Sequence, residues 1–514
     1  MKTTMKLLGA TALLAPAMMA MPAAAEGGRS YDHEQSANAS VRSGGDAREM
    51  HRASGTLARL LAWNEVMLEA NKLDHTPSSG FAGNQQGPTR NSRAFAMVSL
   101  AVYDAVNAFD GKFEPYNASV GSAAPGASKD AAIASAASTS LIRLYPLQTA
   151  RITAIYDADM AAITASASAK ALGVALGVKS ADAIRDRRMG DGSAIGEVSF
   201  GTGGSVSGGT TNVRGDGVNS GNLAAPNWTP DPVGRARGVA LGANWGAVTP
   251  FVLTTGRQFR IPNYPAPGSA RNLAAFNDVA TNGADVSIAG STNNAAKQFI
   301  GNFWGYDGAP GLGTPPRLYN QIAKVVANGE GLKNVGDYAR LLAIVNTTMG
   351  DSGIAAWDSK FFHNYWRPVT GVRGGTVGAP GIAGWKPYGA SVVNAANAEA
   401  FTPPFPAYPS GHATFGAALF QTLTAYFGNN TRFTFTSDEY DGTGIDPNVP
   451  GQVRPLVPVR YRTLLEAQKE NGRSRVFNGV HWEPDDTEGQ ALGTNVTRFT
   501  LATQFRRVRD GDDD

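Results

Sequence analysis

The chain has 514 residues, 17% of them charged and 42% hydrophobic, with 61 Gly, 29 Pro and no Cys. That composition is neither disordered nor collagen-like, and the length accommodates two to four domains or one large helical body. The lack of Cys excludes disulfides, thiolate metal sites, iron–sulfur clusters and cysteine nucleophiles. A formal net charge of +3 with no basic block argues against nucleic acid as the main partner.

Taken in chain order, Lys2 and Lys6, an apolar run, and Ala23-Ala24-Ala25 before Glu26 read as a secretory signal peptide over residues 1–25. No later apolar run is long enough to span a bilayer, so the expected product is secreted or periplasmic with no stable membrane insertion. Residues 26–50 read as a disordered polar linker. Helical periodicity begins near Thr56, where Leu57, Leu60, Leu61 and Leu68 share a stripe. It is stronger over 89–109, with Phe95, Val98, Val102, Val106 and Phe109 on one face, and Ala-rich helices follow over 128–144 and 148–170. Residues 190–221 form a Gly/Ser/Thr-rich loop of the length used for lids or surface excursions, and Pro-punctuated coil continues to about 268. Helical patterns return over 270–304, 315–328, 335–366, after Gly411 and over about 485–506, while strand alternation is scarce. The expectation is an all-α protein with long Gly/Pro-rich loops. It comprises an N-terminal helical region (51–290) and a C-terminal one (291–508) that carries the chemistry, with two four-helix bundles as the expected arrangement.

Three of the six His, namely His363, His412 and His481, lie in the last third, each in or beside a distinctive segment. In KFFHNYWRP, Lys360 and Arg367 are seven apart, which on one helix puts both cations on the same face among aromatic residues, with Pro368 ending the helix. A solvated basic edge is the plainer account of that stretch. In FPAYPSGHATFG, a Pro-rich approach delivers Ser410, Gly411 and His412 to a helix start. Free backbone N–H groups there favour an anion, and His412 can serve as acid or base. A capped helix with an incidental His fits the same letters.

In SRVFNGVHWEPDD, Asn478-Gly479 lets the chain turn so that Arg475 and His481 can approach each other. Asp485, four after His481, can accept the imidazole Nδ1–H and leave Nε2 as ligand or nucleophile, although this stretch alone slightly favours a satisfied core His. Together the three stretches point to an anion. Three cations gathered at ~5 Å repel by about 3 kcal/mol per pair at an effective dielectric near 20, so a fold that gathers them holds an oxyanion such as phosphate or vanadate between them. A further loop, DEYDGTGIDPN (438–448), clusters oxygen ligands without EF-hand spacing and reads as a solvated turn rather than a calcium site.

This ordered combination resembles the signature shared by vanadium-dependent haloperoxidases and PAP2-type acid and lipid phosphatases: Lys-six-residues-Arg-Pro, PSGH, then Ser-Arg-five-residues-His-three-residues-Asp. Phe405, Trp357 and the segment from Phe303 to Ile322 with Asp307 look like the fungal chloroperoxidase branch, over roughly residues 295–505. The long Gly-rich loop and the leader depart from it. The resemblance implies vanadate (vanadium V) bonded to His481 Nε2 and cradled by Lys360, Arg367, Ser410, Gly411 and Arg475. It makes His412, Lys360, His481 and Asp485 catalytic, with Trp357 and Phe405 lining a halide pocket and Asp307 pairing with Arg475. The implied partners are hydrogen peroxide, halide and a small organic acceptor, with hypohalous acid as product. The phosphatase alternative uses the same atoms, with His481 attacking phosphorus and His412 protonating the leaving alcohol. An exported oxyanion-binding protein would need the cradle but not His412.

Overall fold

The computed structural model describes residues 55–199, 226–232, 239–390, 401–444 and 452–508. The leader, the 26–50 linker and most of the 190–221 loop lie outside the described residues. Among the described residues the chain is mainly helical, with two short antiparallel ladders. One pairs β1 (Val198–Ser199) with β2 (Val239–Ala240), and the other pairs β3 (Phe433–Phe435) with β4 (Val459–Tyr461).

The first helices are α1 (Thr56–Asp74), α2 (Gly87–Asp110), α3 (Lys129–Leu144), α4 (Thr149–Ala162) and α5 (Ala167–Arg188). The expected 148–170 helix is two helices. Ile163 leaves the helical region, and the Ser166 hydroxyl caps α5 by accepting from the Ala169 N–H at 3.2 Å. Small residues let α3 and α5 pack closely: a Cβ added at Gly177 would fall 2.4 Å from the Ala132 carbonyl oxygen. α6 (Ala270–Asn282), α7 (Ala295–Phe303) and α8 (Pro315–Gly329) follow, and then α9 (Val335–His363).

α9 is buried almost without interruption from Tyr338 to Phe361 and packs on both α2 and the later α11 (Gly411–Phe427). Its junction with α2 is built on small and polar residues. Asn346 donates to Ser99 Oγ at 2.9 Å, and Gly350 lies against Ala96. Asp351, fully buried, accepts the N–H groups of Phe251, Val252 and Leu253 at 2.6–2.9 Å, which ties the irregular 248–262 segment to the central helix.

α10 (Pro368–Gly374), α12 (Leu464–Phe477) and α13 (Glu483–Thr503) complete the helices. α11 and α13 approach so closely that a Cβ at Gly493 would lie 2.2 Å from the Thr414 carbonyl oxygen. No helix among the described residues is long and apolar enough to cross a membrane.

Candidate active site

Four loop-to-helix junctions bring the expected side chains together: Asp307, Trp357, Phe405, Gly411, His412, Arg475 and His481 line one cavity of about 150 Å³, and Lys360, Arg367, Ser410 and Asp485 lie outside that lining. Lys360 sits in the last turn of α9, but Arg367 reaches the site by a different route from the one its spacing implies. α9 ends at His363, where Asn364 adopts the left-handed region (φ 49°) and its N–H donates to the Lys360 carbonyl at 2.8 Å. A short polar side chain tolerates that conformation. Pro368 opens α10 instead of closing α9, and Arg367 is its N-cap. Lys360 and Arg367 therefore converge across a chain reversal, not along one helical face.

Ser410 caps α11, its hydroxyl accepting from the Ala413 N–H at 3.3 Å, and Gly411 and His412 begin the helix. The Arg475–His481 turn forms as the Asn-Gly pair requires. α12 stops at Phe477, Gly479 takes φ 68°, and the Val480 N–H returns to the Arg475 carbonyl at 3.2 Å.

His481 is buried. Its Nδ1–H donates to Asp485 Oδ2 at 2.7 Å, and its Nε2 accepts from Arg367 Nη1 at 2.9 Å, so the tautomer that satisfies both partners leaves the lone pair on Nε2. Asp485 Oδ2 also accepts the Trp482 N–H at 3.0 Å, which fixes the carboxylate at the start of α13. Burial and the nearby Arg367, Lys360 and Arg475 charges hold the His481 imidazole neutral, well below its usual range. Burial likewise raises the Asp485 carboxyl to about 7, against the pull of Trp482, Lys360 and Arg367.

His412 donates from Nε2 to the Gly305 carbonyl at 2.7 Å, and burial and the Arg475 charge lower its pKa to about 4. Gly305 and Asp307 flank Tyr306, a buried residue at φ 56°, and Asp307 pairs with Arg475 at 2.7 Å while lying 3.9 Å from His412. Lys360 differs from expectation in its aim. Its ammonium donates to the Pro406 and Ala407 carbonyls at 2.9 Å and to the Pro409 carbonyl, so a guest competes with backbone for its protons. Burial and the Arg367 charge depress the Lys360 pKa strongly. Phe405 covers both cations, its ring centroid 5.0 Å from Lys360 Nζ and 4.9 Å from Arg367 Cζ, and Trp357 packs on Phe405 at 4.8 Å.

Three guanidinium nitrogens here, Arg367 Nη2 and Arg475 Nε and Nη1, are buried and have no hydrogen-bond partner among the described residues. Leaving a buried donor unmade costs about 1–3 kcal/mol each. An oxyanion with several acceptor oxygens answers all three, and a neutral Nε2 lone pair beside them fits an electrophilic centre such as vanadium(V). Sequence reasoning missed the N-terminal half's share of the cavity. His75, Gln86, Gly87, Pro88, Val239 and Leu241 line it too, and no local pattern marks them. The described part of the 438–448 segment is a solvated turn only at Gly442 and Thr443, which are exposed. Asp438 pairs with Arg317 at 2.5 Å and Glu439 with Arg454 at 2.5 Å, both buried, and among the described residues no acidic or His cluster fits a metal ion.

Fold and site together define a helical protein with buried, cation-lined polar groups beside the neutral Nε2 of His481. Residues 340–510 match the VCPO second helical-bundle domain. The chain is 35% identical over 249 residues to vanadium chloroperoxidase from Curvularia inaequalis; the match covers 41% of this chain and 41% of that protein, so it spans less than half of the curated relative. Among solved structures, the first bacterial vanadium-dependent iodoperoxidase superposes with a TM-score of 0.64 at 21% identity, covering 87% of this chain and 98% of that one. A holo-type bacterial vanadium-dependent chloroperoxidase gives 0.59 at 15% identity, covering 84% and 94%. The fold is thus that of the vanadium-dependent haloperoxidases.

Proposed function

We propose that this chain is a vanadate-dependent haloperoxidase that uses hydrogen peroxide to oxidise halide to hypohalous acid, which halogenates small organic acceptors. The carrying observation is the partnerless guanidinium nitrogens of Arg367 and Arg475 beside the Nε2 lone pair of His481. His481 would hold vanadate, with Arg367, Arg475, Lys360, Ser410 and the Gly411 N–H binding its oxygens. When bound, vanadate supplies a Lewis-acidic V(V) centre that activates peroxide without changing oxidation state.

The chain's own groups do the rest. Asp485 fixes the His481 tautomer that presents Nε2. His412, neutral above about pH 4 and anchored through Nε2, keeps Nδ1 to take a proton from peroxide. Lys360 and the two arginines place positive charge against developing negative charge in a site shielded from water. Trp357 and Phe405 give halide an apolar wall backed by the Lys360 ammonium. Export through the 1–25 leader is part of the same reading, supported by the leader's sequence.

The test loads purified apoprotein with orthovanadate and assays halogenation of a β-diketone with peroxide and chloride, bromide or iodide. Parallel p-nitrophenyl phosphate hydrolysis is run without vanadate. Vanadate-dependent halogenation is expected, and strong phosphatase turnover with no halogenation would reverse the assignment.

A further inference from the structure

The N–H edge of Trp357 is held by a strap from the N-terminal half. The Trp357 indole N–H donates to the Leu241 carbonyl at 2.9 Å, and the Leu241 N–H donates to the Pro404 carbonyl at 3.0 Å. Gly242, at φ 76°, lies against the Cδ1–Nε1 edge of the indole: a Cβ there would fall 2.5 Å from both atoms. The Gly242 N–H donates to Glu197 Oε2 at 2.6 Å, just beyond the β1–β2 pairing, and Glu197 is held in turn by Arg90 at 3.2 Å. Arg90, in the first turn of α2, also binds the Ser193 and Ile195 carbonyls at 2.7 and 3.0 Å. The chain Arg90–Glu197–Gly242–Leu241–Trp357 thus runs from the N-terminal helices to the cavity wall.

This arrangement decides which edge of the indole meets the cavity. The N–H is spent on Leu241, so the six-membered ring is turned toward Gly411, where a Cβ would meet Trp357 at 3.3 and 3.4 Å. The cavity wall is therefore apolar and fixed in position. A small, strongly hydrated halide gives up more water on entering such a pocket than a large, polarisable one. It therefore depends more on a rigid wall placed close to the Lys360 charge.

We propose that Glu197 is a positioning residue that, through the Leu241–Gly242 strap, holds Trp357 and thereby sets halide affinity and preference. The proposal rests on the haloperoxidase reading above. Its test compares wild type with Glu197→Ala and Glu197→Gln, the latter keeping an acceptor for the Gly242 N–H. In E197A, halide KM is expected to rise about fivefold, the scale of one lost hydrogen bond, with the larger rise for the smaller halide. The kcat at saturating halide and the affinity for orthovanadate, read by equilibrium dialysis, should stay within twofold. E197Q should restore KM to within twofold of wild type. In vanadate-free protein, amide hydrogen exchange over residues 239–245 should quicken in E197A and recover in E197Q. Unchanged KM for every halide, unchanged exchange, or a parallel loss of vanadate affinity would overturn the proposal. A wild type that binds vanadate but halogenates nothing would instead overturn the reading beneath it, while the exchange result would still report on the strap.

Discussion

Replacing Asp485 with Asn tests the site at the point where fold and chemistry meet. The carboxylate is fully buried and accepts two hydrogen bonds on Oδ2, from His481 Nδ1 at 2.7 Å and the Trp482 N–H at 3.0 Å. An amide keeps the shape, and its one oxygen in the Oδ2 place can accept both bonds, but the charge is lost and the buried NH2 falls where Oδ1 has no partner among the described residues. The imidazole Nδ1–H then faces a neutral acceptor, and the Nε2 lone pair becomes a weaker ligand. A hydrogen bond to a charged partner is worth about 1.5–3 kcal/mol, which corresponds to roughly 10- to 150-fold in affinity. Partners of metal-ligating histidines lose about 10- to 100-fold when altered. D485N should therefore bind orthovanadate ~30-fold more weakly, while its thermal midpoint moves by only a few degrees for a cap contact worth about 1 kcal/mol. Equilibrium dialysis with vanadium quantified by atomic emission gives the affinity, and calorimetry gives the midpoint. The same substitution in a His481→Ala background should have little further effect. Affinity within twofold of wild type in D485N, or an equal loss in the His481→Ala background, would refute the assignment of Asp485 to His481.

Three further outcomes follow from the same geometry. Arg475→Ala should destabilise the protein by about 3–5 kcal/mol, because Asp307 is left buried without its partner, and Arg475→Lys should recover part of that loss in chemical denaturation. The His412 pKa is lowered in the folded state to about 4, so its contribution to stability is present above pH 6.5 and disappears as pH falls toward 4. Stability relative to His412→Asn should therefore drop by up to about 3 kcal/mol over that window, and a flat difference across the pH series would refute the shift. Gly479→Ala places a Cβ 2.2 Å from the Gly283 carbonyl oxygen at φ 68°; it should cost at least ~2 kcal/mol by calorimetry and weaken vanadate uptake by moving His481.

Much of this site could be read from short motifs because local backbone chemistry places its residues. Ser410 caps a helix, Asn478-Gly479 breaks one, and Asp485 sits one turn from His481. Periodicity likewise located most helices, since α2, α3, α8 and α11 begin and end close to where apolar spacing and caps put them. What periodicity could not show was the left-handed turn at Asn364, because the aromatic letters on either side continue a helical pattern straight through it. The hidden share is the long-range part: Asp351 holding residues 251–253, His75 and Leu241 in the cavity wall, and Lys360 turned to backbone carbonyls. Each depends on tertiary neighbours about 50 to more than 200 positions away, which no local spacing encodes.

The burial of α9 bears on how this architecture can vary over time. The segment matched by the second-bundle family opens inside that helix, at residue 340, five residues after it starts. The same rod packs on α2 through Asn346, ties down residues 251–253 through Asp351, and carries Trp357 to the cavity wall and Lys360 in its last turn. The two halves are therefore not interchangeable modules. A change in side-chain size on α2 therefore has a packed path, through Ala96, Ser99 and the buried face of α9, toward the indole wall.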